Sequence, residues 1–174
     1  MLRFVVVCVV VLALDSFAVE IIAHRGASHD APENTLAAVN LGWKRNADAV
    51  EVDVFLSKDN RIVAIHDKNT KRTTGHDGLV RDMTWPELRK LEAGGWKGRK
   101  YKGEPIPLLA NILATVPEGK YLVIEIKCGP EIIQPLATLL KKSKMPAMKT
   151  AIISFSFDVV AAAKKQFPKR AVYY

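Results

Sequence analysis

Apolar and polar positions along this chain follow two rhythms, one of period two and one near 3.6, and the switches between them mark the elements. Residues 20–23 read as a short buried strand that ends at His24, with Gly26 just beyond to permit a tight turn. From Asn34 or Thr35, either of which can cap a helix, the rhythm lengthens. Leu36, Val39, Asn40 and Trp43 then share one face of a helix running to about Asn46. Residues 48–56 return to alternation, with Val50, Val52 and Val54 facing one way and Glu51, Asp53 and Phe55 the other. Residues 57–60 are a polar turn, and residues 61–65 a third strand with His66 at its end.

Residues 67–106 break this pattern. They are rich in Thr, Gly, Lys and Asp, with glycine at 75, 78, 94, 95, 98 and 103. Their one amphipathic stretch, 84–91, opens on a capping box between Thr84 and Glu87. The segment reads as an insertion of loops and small helices. Residues 106–108 re-enter the core, and a helix follows to about Val116. Strands are expected at 121–126, 150–154 and from 171, with helices at 131–142 and 157–167 between them. Strands alternating with helices predict βα units and a parallel sheet, with the polar residues of interest at strand ends, where βα barrels place their active sites. Only six strands are counted in 174 residues, whereas a closed eight-stranded barrel takes about 250. The expected fold is therefore α/β, an incomplete βα barrel that lacks its last two units.

Composition modifies the picture mainly at the N-terminus. Arg3, an apolar run of 11 residues from Phe4 to Leu14, and Ser16-Phe17-Ala18 as a small-x-small site have the form of a secretory signal peptide, too short for a membrane span. The mature domain is then expected at 19–174, secreted or periplasmic. Loss of Arg3 and Asp15 together leaves the net charge at +8. Loss of Cys8 leaves Cys128 alone, so no intrachain disulfide can form. An excess of +8 favours anionic partners such as phosphorylated substrates. The basic residues are spread along the chain, and the small clusters at 141–144 and 164–170 read as solvated helix faces, so nucleic acid is not expected as a partner. Membrane contact is not indicated.

The candidate chemistry lies in the strands. Glu51 and Asp53, two apart, project to one face, and Glu125 comes from the strand at 121–126. Three converging carboxylates repel one another unless a cation neutralises them, and hard oxygen ligands suit Ca²⁺ or Mg²⁺. Arg25 and Lys127, which sit beside these groups in sequence, could hold phosphate oxygens. His24 and His66 supply the base and the acid that phosphodiester cleavage requires. His76, in a Gly/Thr-rich loop, repeats the His-Asp dipeptide without a strand before it and reads as a decoy. His29 reads as a loop residue, and Cys128 as a buried or rim thiol.

Taken together, the motifs resemble those of the glycerophosphodiester phosphodiesterase family: H-R-G at 24–26, E-N-T at 33–35, E-V-D at 51–53, H-D at 66–67, T-T-G at 73–75, E-L-R-K-L at 87–91, I-P-L at 106–108 and E-I-K at 125–127. The resemblance covers about residues 20–160 and ends short of the family's last strands. It implies a TIM-type barrel of the phospholipase C-like phosphodiesterase kind with an insertion after the third strand, placed here at 67–106. It also implies hydrolysis of glycerophosphodiesters to glycerol 3-phosphate and an alcohol, with a divalent cation, Ca²⁺ or Mg²⁺. Carried over by position, His24 and His66 are the acid–base pair, and Glu51, Asp53 and Glu125 the metal ligands. Arg25 and Lys127 contact phosphate, while Glu33 and Asn34 shape the first loop. Two other readings remain open at this point: a lipid phosphodiesterase of the same superfamily, such as a sphingomyelinase D-like enzyme, and a truncated, non-catalytic barrel.

Overall fold

The computed structural model of the chain describes residues 19–174, so the leader expected at 1–18 lies outside the described residues. Six strands form one sheet: β1 (Ile22–Ala23), β2 (Ala49–Leu56), β3 (Ile62–Ala64), β4 (Tyr121–Ile126), β5 (Thr150–Ile153) and β6 (Ala171–Tyr173). Five of them run parallel in the order β1-β2-β4-β5-β6. Among the described residues, β1 and β6 each have one neighbour, so the sheet curves as part of a barrel without closing.

The third strand departs from expectation. β3 pairs antiparallel with β2, with Leu56 opposite Ile62 and Val54 opposite Ala64. The reason is connection length. Residues 57–61 make a tight turn closed by the Ser57 N–H donating to the Arg61 carbonyl at 2.9 Å, with Asn60 in the left-handed region. A parallel crossover needs a dozen or more residues. β3 is therefore the return arm of a hairpin, not a barrel strand, and the barrel strand after β2 is β4.

The helices are α1 (Leu36–Lys44), α2 (Lys71–Thr74), α3 (Trp85–Leu88), α4 (Leu109–Leu113), α5 (Ile133–Lys142) and α6 (Phe157–Gln166). Thr35 caps α1, its Oγ1 accepting from the Ala38 N–H. The buried stripe of α1 is Ala38, Val39 and Gly42; Asn40, expected on the inner face, is exposed. The Thr84–Glu87 capping box forms as the sequence indicates.

The alternation along β2 sorts its side chains into two cores. Val50, Val52 and Val54 join Leu122, Ile124, Ile126 and Ile152 beneath the helices, against Val39, Ile112, Leu136 and Val159. On the opposite face, Ala49, Val123 and Ala151 form a small apolar layer inside the curved sheet. Glu51, Asp53 and Glu125 continue that inner face toward the strands' C-terminal ends. The insertion buries Val80, Leu88, Ala93 and Ile106 against Val63 and Ile65 of the hairpin's return arm, and Phe55 packs against this second core. None of the described helices is long and apolar enough to cross a membrane.

Candidate active site

Register places the carboxylates. Asp53 lies directly opposite Glu125 in the β2–β4 pairing, and Glu51 is two residues earlier on the same face. Their oxygens approach within 4.8 Å of one another, and all three residues are buried. Burial and the neighbouring charges of Asp53 and Glu125 push the Glu51 carboxyl up to about 7. Glu51 Oε1 and Asp53 Oδ1 are buried and accept no hydrogen bond. Unpartnered buried carboxylate oxygens aimed at one point, all of them hard donors, fit a Ca²⁺- or Mg²⁺-sized ion.

The first loop closes over this triad from one side. Arg25 and Asn34 sit in the left-handed region at φ 55° and 59°, followed by Gly26 at 75°. Such strain persists only where the surroundings fix it, and here they do. The Arg25 N–H donates to Glu51 Oε2 at 2.8 Å, and the Arg25 guanidinium spans Glu33 Oε1 at 3.1 Å and Asp53 Oδ2 at 3.3 Å. Asn34 is hydrogen-bonded to Asp53. His24 stands mostly exposed, its Nε2 3.9 Å from Glu51 Oε2.

The hairpin closes the other side. The Ile65 N–H donates to the Asp53 carbonyl at 3.0 Å, which delivers His66 to the level of the carboxylates. His66 Nδ1 lies 2.6 Å from Asp67 Oδ1. Its Nε2 lies 3.4 Å from Lys127 Nζ, which in turn donates to Glu125 Oε1 at 2.7 Å and stands 3.6 Å from Asp53 Oδ1. His66, Lys127, Asp67, Arg72 and Phe55 line an open cleft of about 790 Å³.

The structure thus brings together His24, Arg25, Glu33, Asn34, Glu51, Asp53, His66, Glu125 and Lys127. It keeps His76 out, exposed on the insertion, and His29 too, which pairs with Asp30 at 3.1 Å in the open. Cys128 is half-buried, and burial pushes its thiol up to about 11, away from nucleophile chemistry. Two residues escaped the sequence reading. Arg72 grips Glu33 with both terminal nitrogens, and Phe155, 79% exposed after β5, places its ring 5.9 Å from Lys127 Nζ. The only sequence signal for Arg72 was its place beside T-T-G at 73–75.

Comparison with known proteins agrees with this geometry. The model of the glycerophosphoryl diester phosphodiesterase family matches residues 24–173. The glycerophosphodiester phosphodiesterase of Caldanaerobacter subterraneus subsp. tengcongensis is 39% identical over 153 residues, 85% of this chain and 63% of its own length. The Bacillus subtilis protein YhdW is 43% identical over 151 residues, 85% of this chain and 62% of its own. Among solved structures, an Oleispira antarctica phosphodiesterase in complex with the product sn-glycerol-3-phosphate superposes with a TM-score of 0.84 at 36% identity, covering 90% of this chain and 66% of that one. The chain therefore spans somewhat under two thirds of the length of these relatives. On the match over residues 24–173, the chain belongs to the glycerophosphoryl diester phosphodiesterase family.

Proposed function

We propose that the chain hydrolyses glycerophosphodiesters to sn-glycerol 3-phosphate and an alcohol, with a divalent cation. The observation that carries this reading is the convergence of three buried carboxylates, two histidines and two cations on one cleft. The complex of the Oleispira antarctica phosphodiesterase with sn-glycerol-3-phosphate supports the substrate class.

Glu51, Asp53 and Glu125 would hold the cation, which when bound would withdraw charge from a phosphoryl oxygen. Arg25 and Lys127 orient the remaining phosphate oxygens. One histidine takes the proton of the attacking oxygen, either the glycerol 2-hydroxyl or water. A P–O bond forms as the P–O bond to the alcohol breaks, and the other histidine protonates the departing alkoxide; where the 2-hydroxyl attacks, the product is a cyclic phosphate, which water then opens to glycerol 3-phosphate as its P–O bond to the 2-oxygen breaks. Asp67 holds His66 in place for either role, and Glu33 and Asn34 keep the first loop closed on the triad.

The test is hydrolysis of glycerophosphocholine by the purified chain with Ca²⁺, with Mg²⁺ and with EDTA. Metal-dependent release of glycerol 3-phosphate is expected. Turnover that EDTA leaves untouched contradicts the cation's role, and a folded but inactive chain favours a non-catalytic barrel. The exposed Phe155 beside Lys127 favours one second reading, a lipid phosphodiesterase. Lysophosphatidylcholine assayed in parallel separates the two, because an acyl-chain requirement would show as preferred cleavage of the lipid.

A further inference from the structure

The insertion donates one side chain to the site. Arg72, on the four-residue helix α2, lies 39 positions from Glu33 yet forks onto both its carboxylate oxygens, at 2.7 and 2.9 Å. Its Nε donates to Asp67 Oδ2 at 2.5 Å. Each of these acids continues inward. Glu33 Oε1 accepts from Arg25 Nη1 at 3.1 Å, and Asp67 Oδ1 meets His66 Nδ1 at 2.6 Å. One guanidinium therefore terminates two chains, one leading to the arginine over the triad and the other to the histidine beside it.

The His66 end has a defined proton arrangement. Asp67 is ionised, since Arg72 and His66 outweigh its partial burial, and an ionised carboxylate accepts only. His66 Nδ1 must then carry the hydrogen. On the other side Lys127 Nζ, a donor only, faces His66 Nε2 at 3.4 Å. Both neighbours select the same state, Nδ1 protonated and the Nε2 lone pair turned toward the cleft. Asp67 can enforce that state only while it stays aligned. Residue 67 begins the insertion, and Arg72 is the residue that anchors its carboxylate.

We infer that Arg72 is a positioning residue, which fixes the His66 tautomer through Asp67 and the Arg25 fork through Glu33. This deepens the enzymatic reading above and rests on it for its kinetic part only. A planar five-donor fork suits the task because it serves two carboxylates at once, which a lysine ammonium cannot do with fixed geometry. Arg72 is partly exposed, so its effect lies in orientation more than in buried charge.

The test uses the full chain carrying Arg72→Gln, Arg72→Lys, Asp67→Asn and, as a control, Arg81→Gln. Arg81 is a basic residue of the same insertion, exposed beside Asp82 at 3.8 Å and absent from the lining of the cleft. The first readout is the imidazole ¹⁵N spectrum, with His66 assigned by its loss in His66→Gln. The wild-type chain should show the neutral Nδ1–H tautomer for His66, and Arg72→Gln and Asp67→Asn a mixture of tautomers. The second readout is kcat and KM on glycerophosphocholine. Arg72→Gln should lower kcat about 10- to 100-fold, the usual effect of removing a residue that orients a site ligand. Arg72→Lys should recover part of that loss, and Arg81→Gln should change nothing. An Arg72→Gln chain that melts like wild type and retains both the tautomer and kcat overturns the inference, as does a wild-type His66 protonated on Nε2. Should wild type hydrolyse no glycerophosphodiester, the enzymatic reading fails while the tautomer still decides the role of Arg72.

Discussion

Asn34 and Asp53 exchange two hydrogen bonds across the floor of the site. Asn34 Nδ2 donates to Asp53 Oδ2 at 2.8 Å, and the Asp53 N–H donates to Asn34 Oδ1 at 2.9 Å, with both residues buried. The pair consumes one carboxylate oxygen and leaves the other, Oδ1, facing Glu51 and Glu125. Asn34→Ala leaves a buried N–H unpartnered and frees the carboxylate to rotate. It should cost about 2 kcal/mol of stability and weaken divalent-ion binding. Urea unfolding and ion titration measure both; a change below about 0.5 kcal/mol would mean the pair is not structural.

Gly26 permits the chain reversal that carries Arg25 over the triad. A Cβ built at this position would stand 2.5 Å from the Ala38 carbonyl carbon, and the residue holds φ 75°. Since the obstacle is the backbone of α1, side-chain motion cannot relieve it. Gly26→Ala should lower stability by more than about 2 kcal/mol and lower metal affinity through the displaced loop. Equal melting temperatures for variant and wild type would contradict this.

Without a cation, the protein should lose stability as pH rises from about 5 to 8. Glu51 binds its proton up to about 7 in the folded chain, against about 4.3 in an unfolded one. The folded state thus binds more protons in between, and stability falls with pH by up to about 3 kcal/mol. Divalent ions should bind more tightly as pH rises through 7, because that proton must leave. Melting curves in EDTA across this range should slope downward, and Glu51→Gln should flatten them. A wild-type profile that rises from pH 5 to 8 would refute the assignment.

His24 and His66 should separate activity from stability. His24 is largely exposed, with one long contact to Glu51, so His24→Ala should leave melting within about 0.5 kcal/mol of wild type. Turnover of glycerophosphocholine should fall by about 10²- to 10⁴-fold. His66→Ala should lower turnover similarly and also leave Asp67 and Lys127 without a shared partner. Undiminished turnover in either variant would remove that histidine from the mechanism.

Local pattern fixed much of this molecule. The period-two run at 50–54 put Glu51 and Asp53 on one face, the motifs at 24–26 and 125–127 placed their side chains beside that face, and Thr84 with Glu87 announced a helix start. These follow from i to i+2 and i to i+3 geometry, which any chain segment carries with it. The direction of β3 was also written in its short turn, although the apolar run alone read as a barrel strand. The tertiary structure decided the rest. Apart from its place beside T-T-G at 73–75, nothing local distinguishes Arg72 from the other basic residues of the insertion, since its partner Glu33 is 39 residues away and the contact exists only after the insertion packs against the β2–β3 hairpin. Sequence determined which chemical groups converge here; only packing at long range decided which atom each group faces, and hence which carboxylate oxygens stay unpartnered and which histidine nitrogen turns to the cleft.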